Sequence, residues 1–325
     1  MPGFLDLAAT PAAPPTQSIR DVFKGYRIEL QSIGKGHDAE ARWAPVVDNL
    51  VSHIGHDSAN RITRANAIKW TDNLLVTLSP KTVRDSYLAT ARAAFAWAVD
   101  RIDVAQNPFA GVKVRLTKRV RNREKGFTAD EAQSILTASR NYAGSAKEQP
   151  KMTAAKQWVP LLGAYSGARV GELCQLRGED VRQDDGIHYI RITPEAGTVK
   201  SGMFRDVPLH DHVVGEGFLD FVKKSGSGPL FYRSGPRRGK TSPAETVAGR
   251  LGKWVRTLGV IPEGIQPSHA WRHRLKTVGR ELGVDPRVLD AIQGHAARTA
   301  GDDYGDVTLK AKLVLIRKLP RYEFE

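Results

Sequence analysis

The sequence predicts a mainly helical protein of two domains, the first all-α and the second α+β with a small antiparallel sheet. Three observations carry this. Apolar residues recur at helical spacing from Ser18 to about Ile102, as in Val83, Tyr87, Ala91, Phe95 and Val99. Between Val181 and Leu209 the period falls towards two, as in Ile187-His188-Tyr189-Ile190-Arg191-Ile192, and Pro194 to Gly202 supplies turn residues. A basic strap from Lys113 to Lys125 separates these regions, and 325 residues suffice for two cores of ordinary size.

Residues 1–17 are rich in Pro, Ala and Thr, with Pro11, Pro14 and Pro15 breaking any helix, and read as a loose leader. Residues 18–112 fit four helices starting near Ser18, His37, Thr63 and Ser79, and the Asn107-Pro108 step closes the group. Residues 113–126 form the linker. The second domain, 127–325, opens at Thr128, an N-cap with Glu131 three residues on, which is a capping box. Helices are expected through Leu161, then the sheet, then helices from Asp211 and near Ser242, Pro267, Asp285 and Asp306. In the last of these, Leu309, Leu313 and Ile316 form an apolar stripe that must be buried, either on the same chain or on a neighbour.

The composition, 41% hydrophobic and 26% charged, is that of a globular protein. A formal net charge of +14 favours an anionic polymer as partner, because many weak phosphate contacts add up where one substrate carboxylate would not need them. The strap concentrates this charge: Lys113, Arg115, Lys118, Arg119, Arg121, Arg123 and Lys125 stand against Glu124. A solvated face is the plain reading of such a run; between two domains it suits a clamp closing round a duplex. Cys174 is the only cysteine and no secretory segment is visible, which points to a reducing, cytoplasmic compartment. No uncharged apolar run approaches the ~20 residues that span a bilayer.

Two motif-like stretches fail on inspection. Gly235 to Thr241 resembles the end of a phosphate-binding loop but has three residues between its glycines instead of four, one a proline without an amide hydrogen. His269 and His273 are four apart, as in zinc-binding helices, but Ala270 stands where a metalloprotease places its glutamate and no further ligand cluster appears. No metal and no cofactor are therefore expected.

Four other segments suggest chemistry on phosphate. His269 and Arg272 are three apart on a segment of helical composition, so both emerge from one face and can converge on one small anion. Arg169 opens a helix after a Ser-Gly turn, where the backbone amides of the first turn add to its guanidinium, and Glu172 is placed to hold it. Lys200 lies in the turn of the predicted sheet, where a lysine is ordinarily solvated. Tyr304 follows the Gly294-His295 step by nine residues, a spacing no packing pattern demands.

Taken together, Ser-Gly-Ala-Arg169-Val-Gly-Glu172-Leu, Lys200 with Arg205-Asp-Val-Pro-Leu after it, His269-Ala-Trp-Arg272-His, Gly294-His295 and Tyr304 resemble the tyrosine recombinases of the phage integrase family. The resemblance covers about residues 18–320. It implies a helical core-binding, DNA-binding domain before the strap and a catalytic domain after it. It further implies a site-specific recombinase that cuts and rejoins DNA through a 3′-phosphotyrosyl intermediate and a Holliday junction. Double-stranded attachment sites, a tetramer on DNA and accessory factors would be its partners, in a prokaryotic, nucleoid-associated setting. Arg169 and Arg272 would grip the non-bridging oxygens, His269 would serve as base, Lys200 as acid to the leaving 5′-oxygen, His295 as a phosphate contact and Tyr304 as nucleophile. A type IB topoisomerase-like enzyme and a catalytically silent DNA-binding protein are the alternatives. Gln293 stands where leucine is common and Phe204 where a small polar residue is frequent, and neither is expected to carry chemistry. The family would also dock the last residues, Pro320 to Glu325, on a neighbouring protomer.

Overall fold

The computed structural model describes residues 17–36, 38–116, 122–199, 202–235, 241–295 and 305–324. They fall into two compact units, Met1–Val120 and Arg121–Glu325, each with its own apolar core.

In the first unit, α1 (Ile19–Ser32), α2 (Ala39–Ile54) and α3 (Arg64–Thr77) are followed by a continuous run of α4 (Pro80–Thr82), a π-helical stretch (Val83–Leu88) and α5 (Ala89–Arg101). Three of the four expected starts are capped as the side chains dictate. Ser18 accepts from the Asp21 amide, Thr63 and Asn66 cap each other's backbone, and Ser79 accepts from the Thr82 amide with Pro80 in the first turn. The second helix starts after Asp38, while His37 lies outside the described residues. Fully buried Trp70, Phe95 and Phe109 form the centre, with edge-to-face ring separations of 5.6 Å and 5.1 Å about Phe109. Each such pair adds about 1 kcal/mol beyond the area it buries. Asn107 closes the unit by donating to the Arg92 carbonyl and accepting from the Phe109 amide.

The second unit begins with α6 (Ala129–Arg140), whose Thr128 and Glu131 form the predicted capping box. Its central element is α7 (Pro150–Ser166), five residues longer than the sequence suggested and buried on nearly every side over its last turns. Because a helix buried all round presents no polar stripe, periodicity could not mark its end; Gly167, at φ +54°, does so by turning the chain into the left-handed region. After α8 (Val170–Cys174) comes an antiparallel sheet of β1 (Val181–Asp184), β2 (Ile187–Ile192) and β3 (Arg205–Pro208), in that order. Val181 pairs with Ile190 and Ile192 with Arg205, so β2 turns Ile190 and Ile192 into the core. Then follow α9 (Asp211–Gly215), α10 (Phe218–Ser225), α11 (Pro243–Thr257), α12 (Pro267–Glu281), α13 (Pro286–Gln293) and α14 (Leu309–Lys318).

The end of the chain departs from expectation in two ways. The cap of α14 is Thr308, so the helix starts three residues after Asp306. Its buried face is Lys312, Leu315 and Ile316, continued by Leu319; of the expected stripe Ile316 is buried, while Leu309 and Leu313 are half-buried. The reason is Lys312: its stem packs on β3 and its ammonium donates to the Asp206 carbonyl at 3.0 Å, so a residue that counts as polar in a periodicity takes a core position. The segment after α14 packs on the second unit of its own chain. Tyr165 donates to the Pro320 carbonyl, the Tyr322 ring meets Tyr165 edge-on at 5.8 Å, and Phe324 lies 5.0 Å from the His212 ring. Among the described residues no helix is long and apolar enough to cross a membrane.

Candidate active site

Gly167, Arg169 and Glu172 sit where α7 gives way to α8, and this corner is the base of the site. Glu172 is 2% exposed and accepts from Arg169 twice, from the backbone amide at 3.1 Å and from Nη1 at 2.8 Å. Oε2, the oxygen that takes the Arg169 amide, also accepts from Arg205 Nη2 at 2.5 Å. Burial alone would raise the Glu172 carboxyl, but the hydrogen bond and charge of Arg205, followed by those of Arg169, hold it below the usual carboxylate range. The carboxylate therefore fixes two guanidiniums on one rigid corner.

Helix α12 delivers the second arginine. Arg272 is 8% exposed; Nη1 donates to the carbonyls of Gly167 at 2.5 Å and Gln293 at 3.0 Å, and Nη2 faces His295 Nε2 at 2.7 Å. Burial, and next the charge of Arg169, bring its pKa down to about 10, still well above neutrality. Arg169 thus lies near enough for its charge to act on Arg272, a repulsion that a bound anion would relieve. His269 lies exposed in the first turn of α12, on the same helix as Arg272.

Of the expected site residues, the structure brings Arg169, Glu172, Arg272 and His295 together around Gly167 and Gln293. Lys200 and Tyr304 lie outside the described residues, as do Lys118, Arg119 and Arg121 of the strap and the glycine-rich residues 236–240. Of the other strap residues, Lys113, Arg115 and Lys125 are exposed. Arg123 behaves differently, since it donates to both oxygens of Glu131 at 2.5 and 2.9 Å and to the Gly126 carbonyl. It anchors the end of the strap to the capping box of α6.

Four residues beside the site, Gln293, Arg205, Lys276 and Asp290, were given no role from sequence. Gln293 is fully buried, and its Nε2 donates to the Arg272 carbonyl at 2.8 Å, so the atypical residue before Gly294 ties α13 to α12. It also explains Gly167, where a Cβ would come within 2.5 Å of Gln293 Nε2. Arg205 was quoted only as part of the motif that follows Lys200 and given no role, yet it links Glu172 to the Ile292 carbonyl at 3.1 Å. Lys276 and Asp290 meet at 2.5 Å, and Asp290 faces His295 Nδ1 at 2.8 Å. No sequence pattern marks the Lys276–Asp290 pair, because its members lie on different helices. No group of three or more His, Cys, Asp or Glu side chains able to hold a metal occurs among the described residues.

Known proteins resemble this chain. The model of the phage integrase family matches residues 125–309, more than half of the chain and every residue of the corner just described. A tyrosine recombinase XerA of Pyrococcus furiosus is 29% identical over 163 residues, covering 50% of this chain and 53% of that protein. A tyrosine recombinase of Agathobacter rectalis is 24% identical over 262 residues, covering 79% of this chain and 82% of the relative. The match spans 53% and 62% of the length of the two Pyrococcus XerA proteins. In three dimensions, a lambda integrase tetramer bound to a Holliday junction aligns with a TM-score of 0.64 at 17% identity, over 90% of this chain and 79% of that one. The Tn1549 transposon integrase with transposon right end DNA aligns at 0.61 and 19% identity, over 89% and 96%. The fold is accordingly that of the integrases, and the chain belongs to the phage integrase family.

Proposed function

We propose that the protein is a site-specific DNA recombinase that breaks and rejoins strands by transesterification, with Tyr304 as the nucleophile. The observation that carries this is the convergence of Arg169 and Arg272, two permanently charged forks held by Glu172, Gly167 and Gln293, on a wall that also presents His295. A phosphodiester repels nucleophiles by its own charge, and donors placed on its non-bridging oxygens gain strength as the five-coordinate transition state forms. Arginines serve that purpose without a metal because they stay charged at any working pH.

The rest of the assignment follows from chemistry. A phenol with a pKa of about 10 is disfavoured as phenolate at neutral pH by roughly 4 kcal/mol, which the local positive field and His269 as base would offset. Lys200 would protonate the leaving 5′-oxygen, and His295 would contact the phosphate. The rival tyrosines are occupied. Tyr165 is 3% exposed, its phenol pushed up by burial, and Tyr189 is 7% exposed in β2. The Tyr322 hydroxyl accepts from Arg274 at 3.1 Å. Energy kept in the phosphotyrosyl ester would allow a hydroxyl from another strand to reverse the attack, which is strand exchange between two duplex sites by a DNA-bound assembly of several copies of this chain. Exposed Lys113, Arg115 and Lys125 would contact phosphate from the strap.

The test is a nicked suicide duplex resolved on a denaturing gel. Wild type is expected to leave a covalent protein-DNA band and Tyr304→Phe none, with duplex affinity retained. A band that persists in Tyr304→Phe removes the nucleophile assignment, and relaxation of supercoiled DNA without exchange between two sites removes the recombinase reading.

A further inference from the structure

The ring of His295 has its two nitrogens in different company. Nε2 lies 2.7 Å from Arg272 Nη2, and a guanidinium has hydrogens but no lone pair, so Nε2 must be the acceptor. The ring proton is then on Nδ1, which donates to Asp290 Oδ1 at 2.8 Å. Asp290 is itself gripped by Lys276 Nζ at 2.5 Å, one turn beyond Arg272 on α12. A chain of four side chains, Lys276, Asp290, His295 and Arg272, therefore runs between α12 and α13 and ends at the proposed phosphate position.

We propose that Asp290, braced by Lys276, is a positioning residue that keeps the His295 proton on Nδ1 and sustains the charged ring when Nε2 turns from Arg272 to a phosphate oxygen. The inference rests on the reading of His295 as a phosphate contact. In the arrangement without substrate, neutral His295 has nothing on Nε2 to give. When Arg272 Nη2 swings to the phosphate, Nε2 is released, takes a proton from solvent and donates a hydrogen bond to a non-bridging oxygen. The imidazolium so formed has both N–H groups used, one by the phosphate and one by the Asp290 carboxylate. This is the service a carboxylate performs for the histidine of a hydrolytic triad, reached here across two helices.

The charges that face the ring are Arg272 and Lys276 from α12 and Asp290 from α13, with Arg205 of β3 beside Gly294. Burial, and then Arg272 and Lys276, push the His295 pKa down, while Asp290 pushes it up. The two variants must therefore act in opposite directions. Asp290→Asn removes an anion and lowers the His295 pKa by about one pH unit; Lys276→Gln removes a cation and raises it by about half a unit.

The experiment is an NMR titration of the full chain labelled with 15N-histidine, with His295 assigned by its loss in His295→Gln, alongside suicide-duplex cleavage across pH. Wild type is expected to show the Nδ1–H form. The His295 pKa and the alkaline limb of cleavage should move down together in Asp290→Asn and up in Lys276→Gln. A part that is merely structural would shift both variants the same way, and that result overturns the proposal, as does an unmoved pKa in Asp290→Asn. A pKa that moves while the cleavage limb stays put overturns the catalytic half of it. If wild type forms no covalent band at all, the recombinase reading falls, and the NMR signs alone decide the Asp290 coupling.

Discussion

Glu172→Gln isolates the corner on which the site is built. The side chain keeps its size and an acceptor oxygen, but it loses the charge that pairs with Arg205, itself 7% exposed. Removing one member of a buried ion pair leaves the other uncompensated and costs about 3–5 kcal/mol; because Gln still accepts hydrogen bonds, about 3 kcal/mol is expected. For a unit of this size each kcal/mol is worth roughly 2–4 °C, so the melting transition of the second unit should fall by roughly 6–12 °C in calorimetry of the full chain. A double-mutant cycle with Arg205→Met should return a coupling of about 2 kcal/mol. The pH dependence gives an independent check. Glu172 has a lowered folded pKa, so its contribution is complete above the unfolded value of about 4.3 and is lost as pH falls through the folded one. The gap between wild type and variant should therefore narrow on acidification below about pH 4. A Glu172→Gln protein that melts within 2 °C of the exposed control Glu124→Gln, a threshold of about 1 kcal/mol, would refute this account of the corner.

Three further outcomes are expected. Replacing exposed Lys113, Arg115 and Lys125 with Gln should weaken binding to specific and random duplexes alike, and should flatten the slope of log K against log salt by roughly 3, from ~0.9 per phosphate contact; fluorescence anisotropy across a salt series measures it. Gly167→Ala forces a Cβ to 2.5 Å from Gln293 Nε2 at a left-handed φ, and should cost about 1–3 kcal/mol while displacing Arg272, so covalent-complex formation should fall well before duplex affinity does. Burial lowers the pKa of His210 and of His212, whose rings touch the Leu319 carbonyl and Tyr165. The unfolded chain then binds protons the folded one refuses, so the docking of residues 320–324 is complete above about pH 6.5 and weakens as pH falls below it. Protection of the Tyr322 and Glu323 amides from hydrogen exchange, relative to the intrinsic rate at each pH, should fall between pH 6.5 and 5 in wild type, and less so in His210→Gln.

Local chemistry was legible in the chain itself. Ser18, Thr63, Ser79, Thr128, Ser242 and Asp285 cap helices because a short side chain beside an unpaired amide has little else to do there, and that holds whatever the helix later packs against. The order of Arg169, Arg272 and His295 along the sequence could likewise be recognised, since chemistry on phosphate restricts the residue types that serve it. Position within the core could not. Lys312 occupies a core face of α14 because β3 offers a carbonyl at the end of its stem, and no count of apolar residues foresees a lysine there. Gln293 read as a position without chemistry, yet its amide holds the Arg272 carbonyl, and nothing in the sequence marked Asp290, which α12 and α13 set between Lys276 and His295. A side chain's own composition determines what bonds it is able to make; which partner it meets across twenty or a hundred residues is decided only when the helices have packed.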